Sequence, residues 1–376
     1  MFTIIVNRSL LRYNTQGRVN HGAEVWPEGH TCVNLRRLKA LAPRLPLNDA
    51  GFDARFARAA EDELLSTLFI THPLGLGHDM GPGHPEQPDR LRVIERALEH
   101  ENFQMLARER ARRGTLEQIV RCHLEAYFRS LEEAAPTSGV LHLDGDTMMG
   151  PGTWEAAMHA VGAACQAVDE VMEKKAANAF VAMRPPGHHA ETSTPMGFCF
   201  FNNAAIAARH AQAVYGAERV AIMDFDVHHG NGTQDIFWAD PSVMYASTHQ
   251  MPLYPGTGGR DETGDSGAIV NAPLSAGDGG AQFREAMDSK VLPRLAAFRP
   301  DLVIISAGFD AHRRDPLAQI NLIEEDFAWA TTRLMDVAQA SAGGRVVSLL
   351  EGGYDLTALA SSAAAHVGAL MGRTAS

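Results

Sequence analysis

The sequence is poor in cysteine and lysine. Its 376 residues include 4 cysteines without a C-x-x-C pair, so neither a disulfide framework nor a thiolate zinc site is indicated. Only four of the 33 basic residues are lysine: Lys39, Lys174, Lys175 and Lys290. The preference for arginine, with abundant alanine and glycine, suggests a GC-rich bacterial genome, and the unpaired cysteines favour a reducing cytoplasm.

Long apolar runs and an excess of positive charge are also absent. No stretch of about 18 apolar residues occurs and the N-terminus lacks a secretion-signal pattern, so we expect neither membrane insertion nor export. The net charge of −12 argues against general affinity for nucleic acid or anionic membrane, because both partners require a basic face. A cationic substrate would be attracted by this net negative charge.

The chain divides by composition into two parts. Residues 1–65 carry scattered proline, glycine and asparagine without an alternating strand pattern, and we expect an extension that is poorly ordered or not essential. The first buried strand is predicted to begin at Ser66–Ile70. Residues 66–376 are long enough for one large α/β domain.

Strand-like apolar runs alternate with helical patterns from that point on. This alternation predicts an α/β fold, with a central, mostly parallel sheet and helices on both faces. Asn203 is a candidate N-cap for a helix that ends at Gly216, and another helix follows Thr153. The predicted strands are Phe180–Met183, Val220–Met223, Val243–Ser247, Leu302–Ser306 and Val346–Leu350.

Polar clusters follow several of these strands directly, where parallel sheets place their ligands. Asp224, Asp226 and His228 alternate after one strand, so their side chains share a face, and Asp310 follows another strand. Two carboxylates and one imidazole leave a position open for water, as in a catalytic zinc site. An isolated Asp-x-His triplet is equally compatible with a solvated loop or an ion pair.

Two further clusters contain residues suited to catalysis. His188 and His189 are adjacent in a proline-rich loop after Phe180–Met183, and Tyr354 follows two glycines after Val346–Leu350. Tandem histidines are often ordinary surface residues, and a single tyrosine is usually part of a core or a rim. Their position after strands favours a functional role.

Taken together and in order, five motifs resemble the histone deacetylase family, particularly its class II and bacterial members. The similarity extends from about Ser66 to the C-terminus and implies an arginase/deacetylase-like fold and an amidohydrolase activity. The motifs are R-P-P-G-H-H-A from Arg184, G-F-C-F-F-N-N from Gly197, D-F-D-V-H-H-G-N-G-T-Q from Asp224, S-A-G-F-D-A-H from Ser306 and L-E-G-G-Y from Leu350.

The resemblance implies a role for each matching catalytic residue. Asp226, His228 and Asp310 would hold zinc, while His188 and His189 would face the attacking water. His189 would act as the general base, and His188 would remain charged.

Three further residues would complete the catalytic set. Asp224 would orient His188, and Asn231, which is aspartate in class I members, would pair with His189. Tyr354 would donate a hydrogen bond to the substrate carbonyl.

The resemblance also implies a substrate tunnel. Gly197 and Phe198 on one side and Tyr254 on the other would form its walls, Asp146 would lie at the rim, and Arg90 matches an arginine of the internal channel.

Family members also bind potassium through main-chain oxygens, here at Asp224, Asp226 and His228 with help from Ser247.

The expected substrate is an N-acetyl or other N-acyl lysine in a protein or peptide. The main rival is a small N-acetylated amine, as in an acetylpolyamine amidohydrolase. Polyamine-selective members have a glutamate where this chain has Leu317, and His84–Pro88 lacks their narrowed first loop. A manganese ureohydrolase and an inactive acyl-lysine binding module are two further candidates. The sequence leaves the presence of a homo-oligomer open.

Overall fold

The computed structural model describes residues 2–6, 9–13 and 65–373. The chain forms two units, Met1–Ala59 and Ala60–Ser376. In the first unit, β1 (Phe2–Val6) pairs antiparallel with β2 (Ser9–Tyr13). The sequence analysis expected no strand there, although Phe2–Val6 is rich in β-branched residues, which favour strands. The prediction that residues 1–65 are dispensable otherwise falls mostly outside the described residues.

The second unit is built on an eight-stranded sheet in which every pair is parallel. This confirms the predicted α/β class. A small antiparallel pair lies outside it, β5 (Leu141–His142) with β6 (Met148–Met149). The large sheet has the order β10-β9-β8-β11-β12-β7-β3-β4 and consists of β3 (Thr67–Thr71), β4 (Ala107–Arg110), β7 (Asn178–Val181), β8 (Val220–Asp224), β9 (Val243–Ser247), β10 (Ile269–Asn271), β11 (Leu302–Ala307) and β12 (Val346–Leu350).

Helices connect the strands of this sheet. The region described contains no helix that is both long enough and apolar enough to cross a membrane. The α-helices are α1 (Asp89–Ala97), α2 (Leu116–Ile119), α3 (Glu125–Ala134), α4 (Thr153–Met172), α5 (Asn203–Tyr215), α6 (Asn231–Phe237), α7 (Gly280–Ala286), α8 (Leu292–Phe298), α9 (Glu324–Ser341) and α10 (Leu356–Leu370).

One predicted helix boundary differs by a residue. Asn202, rather than Asn203, caps α5, because the Asn202 side chain accepts a hydrogen bond from the Ala205 amide. Gly216 ends the helix as expected, with a φ of 68° that suits glycine.

Two apolar cores cover the two faces of the sheet. On β8, Val220 and Ile222 belong to the core that includes α4 and α5, whereas Ala221 and Met223 belong to the core that includes α9 and α10. This division follows from strand geometry, since successive side chains point to opposite faces. Because both faces of the sheet are buried, only the strand ends can carry a polar site.

Four adjacent strands, β8, β11, β12 and β7, supply the loops that carry the polar motifs. The chain passes from β7 to β8 across the space later filled by β12 and β11. Crevices in open α/β sheets form where the strand order changes in this way, outside the carboxyl ends of the strands. The topology therefore brings the predicted motifs to one edge of the sheet.

Candidate active site

Asp226, His228 and Asp310 form a buried cluster at this edge. Their ligand atoms lie within 4.8 Å of one another. His228 Nδ1 is 3.1 Å from Asp226 Oδ1 and 3.1 Å from Asp310 Oδ2. The sequence analysis predicted these three residues as metal ligands, and the structure brings them together.

Backbone amides and glycines hold the two carboxylates in place. The Gly352 amide donates to Asp226 Oδ2 at 2.7 Å, and the Val227 amide donates to Asp310 Oδ1 at 2.8 Å. A Cβ on Gly352 would lie 2.6 Å from Asp226 Oδ2, and a Cβ on Gly308 would overlap the Asp226 carboxylate. The glycines that follow β11 and β12 thus make room for the cluster.

The donor set fits a divalent transition metal. Two carboxylates and one imidazole match the oxygen and nitrogen ligands of a catalytic zinc site. Burial would lower the pKa of His228, but the two carboxylates outweigh burial and raise this pKa to about 10, so the local field favours a positive charge. Within residues 65–373 this is the one group of three or more such side chains placed to hold a metal ion.

His188 lies beside the cluster and is oriented by Asp224. Its Nδ1 is 3.0 Å from Asp224 Oδ2, which also accepts a hydrogen bond from the Tyr245 hydroxyl at 3.1 Å. Burial would lower the pKa of His188, but Asp226 and Asp224 hold it well above the ordinary value. The two carboxylates therefore favour the charged form of His188.

His189 has a neutral partner instead. Its Nδ1 lies 2.8 Å from Asn231 Oδ1, while Asn231 Nδ2 donates to Glu191 Oε1 at 2.9 Å and approaches Met196 Sδ at 3.3 Å. With acceptors on the amide nitrogen, the Asn231 oxygen faces His189, which places the His189 proton on Nδ1 and leaves Nε2 free. Burial, reinforced by the charges of His188 and His228, holds the pKa of His189 well below its ordinary value.

Tyr354 lies against Arg90 at the other side of the site. The Arg90 guanidinium is 4.9 Å from the centre of the Tyr354 ring, and its Nε donates to Gly353 O at 2.7 Å. Burial raises the pKa of Tyr354 well above its ordinary value, so the hydroxyl is a proton donor at neutral pH.

Arg90 belongs to a fully buried ion network. Glu86 lies between Arg90, whose Nη1 is 2.9 Å from Glu86 Oε1, and Arg184, which forms two close contacts with the same carboxylate. His78 Nε2 is 3.2 Å from Glu86 Oε2. The network joins the loop before α1 to the loops that follow β7 and β12.

Aromatic rings pack against the residues around the cluster. Phe198 packs edge-on against Tyr354 with ring centres 5.9 Å apart, and Tyr254 packs edge-on against His189 at 5.2 Å. Gly197 has a φ of 55°, and a Cβ there would meet the His189 ring. Gly197 and Tyr254 thus lie against His189, and Phe198 lies against Tyr354.

Asp146 lies close to the Phe198 side of the approach. The Asp146 carboxylate accepts from the Thr147 hydroxyl, whose oxygen accepts from the Phe198 amide at 3.1 Å. His84 Nε2 is 3.2 Å from Asp146 O, and the His84 ring packs against Phe198. These contacts put Asp146 beside the aromatic wall.

Leu317 is half-buried in the loop after β11, and the Asp315 side chain links its main chain to that of Tyr354. Asp315 Oδ1 accepts from the Leu317 amide at 3.0 Å, and Asp315 Oδ2 accepts from the Tyr354 amide at 2.7 Å. Asp315 is therefore a shared anchor of the two loops.

Several site residues were missed by the sequence analysis. Glu351 Oε2 accepts from the Gly187 and His188 amides at 2.7 and 3.1 Å, and its position directly after β12 was an available signal. Glu191 could have been noticed two positions after His189. Arg184 begins the first of the five motifs but was given no role there, and no local pattern distinguished Glu86, Tyr245 or Asp315.

Comparisons with known proteins agree with this geometry. The histone deacetylase domain model matches residues 84–370. A probable deacetylase from Archaeoglobus fulgidus is 38% identical over 296 residues, which cover 77% of this chain and 82% of that protein. A histone deacetylase-like amidohydrolase from Pseudomonas aeruginosa is 38% identical over 313 residues, covering 77% of this chain and 81% of that protein.

The fold is also found among solved structures. The crystal structure of the HDA15 HD domain aligns with a TM-score of 0.77 and 36% identity, covering 82% of this chain and 89% of that one. The family model spans most of the chain, and both relatives exceed 30% identity over most of their length. The buried Asp226/His228/Asp310 cluster, the paired histidines and the matching domain together lead to one conclusion: this chain belongs to the histone deacetylase family and is a hydrolytic deacetylase.

Proposed function

We propose that the protein is a zinc-dependent deacylase that hydrolyses the amide of N-acyl lysine in peptides or proteins and releases a free amine and a carboxylate. The observation that carries the proposal is the meeting of a three-ligand cluster, two adjacent histidines with different partners and a tyrosine at one edge of the sheet. The pKa of His188 is shifted upwards and that of His189 downwards, which are the directions that suit a fixed positive charge and a neutral base.

Asp226, His228 and Asp310 would hold the zinc, which polarises the amide carbonyl and lowers the pKa of water when bound. His189 accepts a proton at Nε2, because Nδ1–H donates to Asn231. The same nitrogen later returns the proton to the leaving amine. His188, held by Asp224, contributes a fixed positive charge, and the Tyr354 hydroxyl donates to the carbonyl oxygen as negative charge develops there.

The structure gives no support to a two-metal ureohydrolase. Asn231 is engaged by His189 and Glu191, and His229 is engaged by Thr257 at 2.7 Å and Gln234 at 3.0 Å. A two-metal site would need additional aspartates that bridge the ions, and the residues that stand at the second position, Asn231 and His229, instead have partners within the protein. The potassium site, cytoplasmic location, bacterial source and homo-oligomer remain predictions.

Acyl-lysine is favoured over an acetylpolyamine because of Leu317. An apolar side chain offers no charge partner to a distal ammonium group, and an unpaired cation loses free energy when it is buried. The same side chain can pack against a peptide.

Metal analysis tests the ligand assignment. We expect about one zinc per chain in the native protein, and a steep loss in Asp226→Ala because removal of one ligand leaves two. Asp326→Asn, a change in a buried carboxylate of α9, is the matched control and should keep its zinc. Unchanged zinc in Asp226→Ala would contradict the assignment.

Competing substrates test the substrate class. The kcat/KM for an acetyl-lysine peptide should exceed that for acetylspermidine in the native enzyme, and Leu317→Glu should move the ratio towards the polyamine because it adds a charge partner. Leu317→Gln, which is similar in size but neutral, should move the ratio much less. A native preference for acetylspermidine would overturn the interpretation of Leu317.

A further inference from the structure

We propose that Asp315 is a positioning residue of this deacetylase and acts through Tyr354. The inference rests on the proposed role of Tyr354 as hydrogen-bond donor to the substrate carbonyl. In this role, the buried Asp315 carboxylate fixes the position of the Tyr354 hydroxyl. It also links the main chain at Tyr354 to the loop that carries Leu317.

The contacts of Asp315 reach both loops. Asp315 Oδ2 accepts from the Tyr354 amide at 2.7 Å and from the Asp355 amide at 3.3 Å. Asp315 Oδ1 accepts from the Leu317 amide at 3.0 Å. With 7% of its surface exposed, the side chain has little access to water as a substitute partner.

The chain before Tyr354 gives a reason for this anchor. Gly352 and Gly353 precede the tyrosine, and Gly353 has a φ of 120°, a conformation that non-glycine residues rarely adopt. Glycines restrict the backbone least of all residues, so they leave the position of the next residue weakly determined. The hydrogen bond to the Tyr354 amide supplies a restraint immediately after this pair.

The tyrosine ring has restraints of its own. Arg90 lies 4.9 Å from the ring centre on one side, and the Phe198 ring packs edge-on at 5.9 Å. These contacts restrict the ring, whereas Asp315 restricts the main chain that carries it. A misplacement of about 1 Å can lower turnover about 100-fold when a group must meet a transition state.

Asp315→Asn tests the inference with little change in shape. The amide has one acceptor oxygen, so it cannot serve both loops. We expect kcat on an acetyl-lysine peptide to fall by about 10-fold to 100-fold, with KM and zinc content nearly unchanged. Asp326→Asn, whose carboxylate accepts from the Ile323 amide and from Arg284, is the matched buried control and should keep its native kcat.

The decisive measurement is a double-mutant cycle with Tyr354→Phe. That variant alone should lose about 10²–10³ in kcat, because one donor to the developing oxyanion is removed. If Asp315 acts through the hydroxyl, Asp315→Asn adds little to the loss already caused by Tyr354→Phe. If the double variant instead loses kcat by the product of the two single losses, the inference is overturned.

Two further outcomes have separate meanings. Normal turnover in Tyr354→Phe contradicts the proposed function, whatever Asp315→Asn does. If Asp315→Asn does not fold, Asp315→Ser is carried through the same cycle. Failure of both variants to fold would identify Asp315 as a purely structural residue and would also overturn the inference.

Discussion

At the scale of single residues, His188 and His189 show how the pKa values of two identical side chains are shifted in opposite directions. They are neighbours with ring centres 4.0 Å apart. A carboxylate faces His188 and an amide faces His189, at 3.0 and 2.8 Å respectively. Burial lowers the pKa of both rings; at His188 the carboxylates of Asp226 and Asp224 outweigh it, whereas at His189 the charges of His188 and His228 reinforce it.

This difference predicts the pH dependence of turnover. Because burial and neighbouring charges depress the pKa of His189, the neutral base persists below pH 6.5, its ordinary value. Turnover should therefore fall only as the pH drops through that depressed pKa. The double variant Asn231→Asp/Glu191→Gln puts a carboxylate beside His189, and we expect it to raise the acid limb of the kcat profile by about 1–3 pH units.

Glu191 must be changed in the same variant because its carboxylate lies 2.9 Å from the Asn231 amide nitrogen. Two facing carboxylates would share a proton and cancel the intended charge. Glu191→Gln alone is the control and should keep its acid limb near the native position. An acid limb that does not move in the double variant would show that another group controls it.

At the scale of elements, the loops after β11 and β12 depend on glycine for space. Gly352 lacks a positive φ, so its role is steric and not conformational. A Cβ there would lie 2.8 Å from Asp310 Cγ as well as close to Asp226. The loop can therefore approach the ligands only without a side chain.

We expect Gly352→Ala to bind zinc more weakly, because the added methyl group displaces the ligand carboxylates. Titration with a competing chelator measures the change. Gly368→Ala on α10 is the matched control, since a Cβ added at Gly368 would have no atom within 4 Å. It should retain zinc and gain about 0.5–1 kcal/mol in the free energy of unfolding. Equal zinc affinity in both variants would contradict the steric role of Gly352.

The predicted elements show what local pattern can determine. β9 and β12 have the bounds that the sequence analysis predicted, because each is a buried apolar run ended by polar residues. β4 and β10 were not predicted: they have 4 and 3 residues, and β4 is the largely exposed A-R-E-R at the end of the sheet. Short edge strands carry too few apolar residues to show a period.

The site residues likewise divide into those that a local sequence pattern reveals and those that it does not. The three candidate metal ligands follow strands directly, so strand alternation and motif spacing sufficed to propose them. Glu86 and Asp315 work through partners 98 and 39 residues away in sequence. Such contacts depend on the tertiary fold, and neither residue belongs to a recognised motif. Asn203 shows a smaller limit, because adjacent asparagines offered two equally good caps.

At the scale of the whole molecule, residues 65–373 contain both the candidate site and the sheet and cores that hold it in place. Residues 65–373 include the eight-stranded sheet, both apolar cores and every residue placed at the site. We expect a chain that begins at Leu65 to keep its kcat/KM on an acetyl-lysine peptide and its thermal unfolding midpoint. A truncated protein that fails to fold or loses activity would show that residues 1–64 belong to the working enzyme.

The buried network around Glu86 has a consequence for engineering new specificity. Its members come from the loop before α1, from α1 itself and from the loop after β7, and Arg90 also reaches the main chain after β12. A chimaera that took one of these segments from a relative without the matching charge would leave an unpaired charge in a dry interior. These segments therefore have to be exchanged together. Leu317, half-buried and outside the network, can be varied independently.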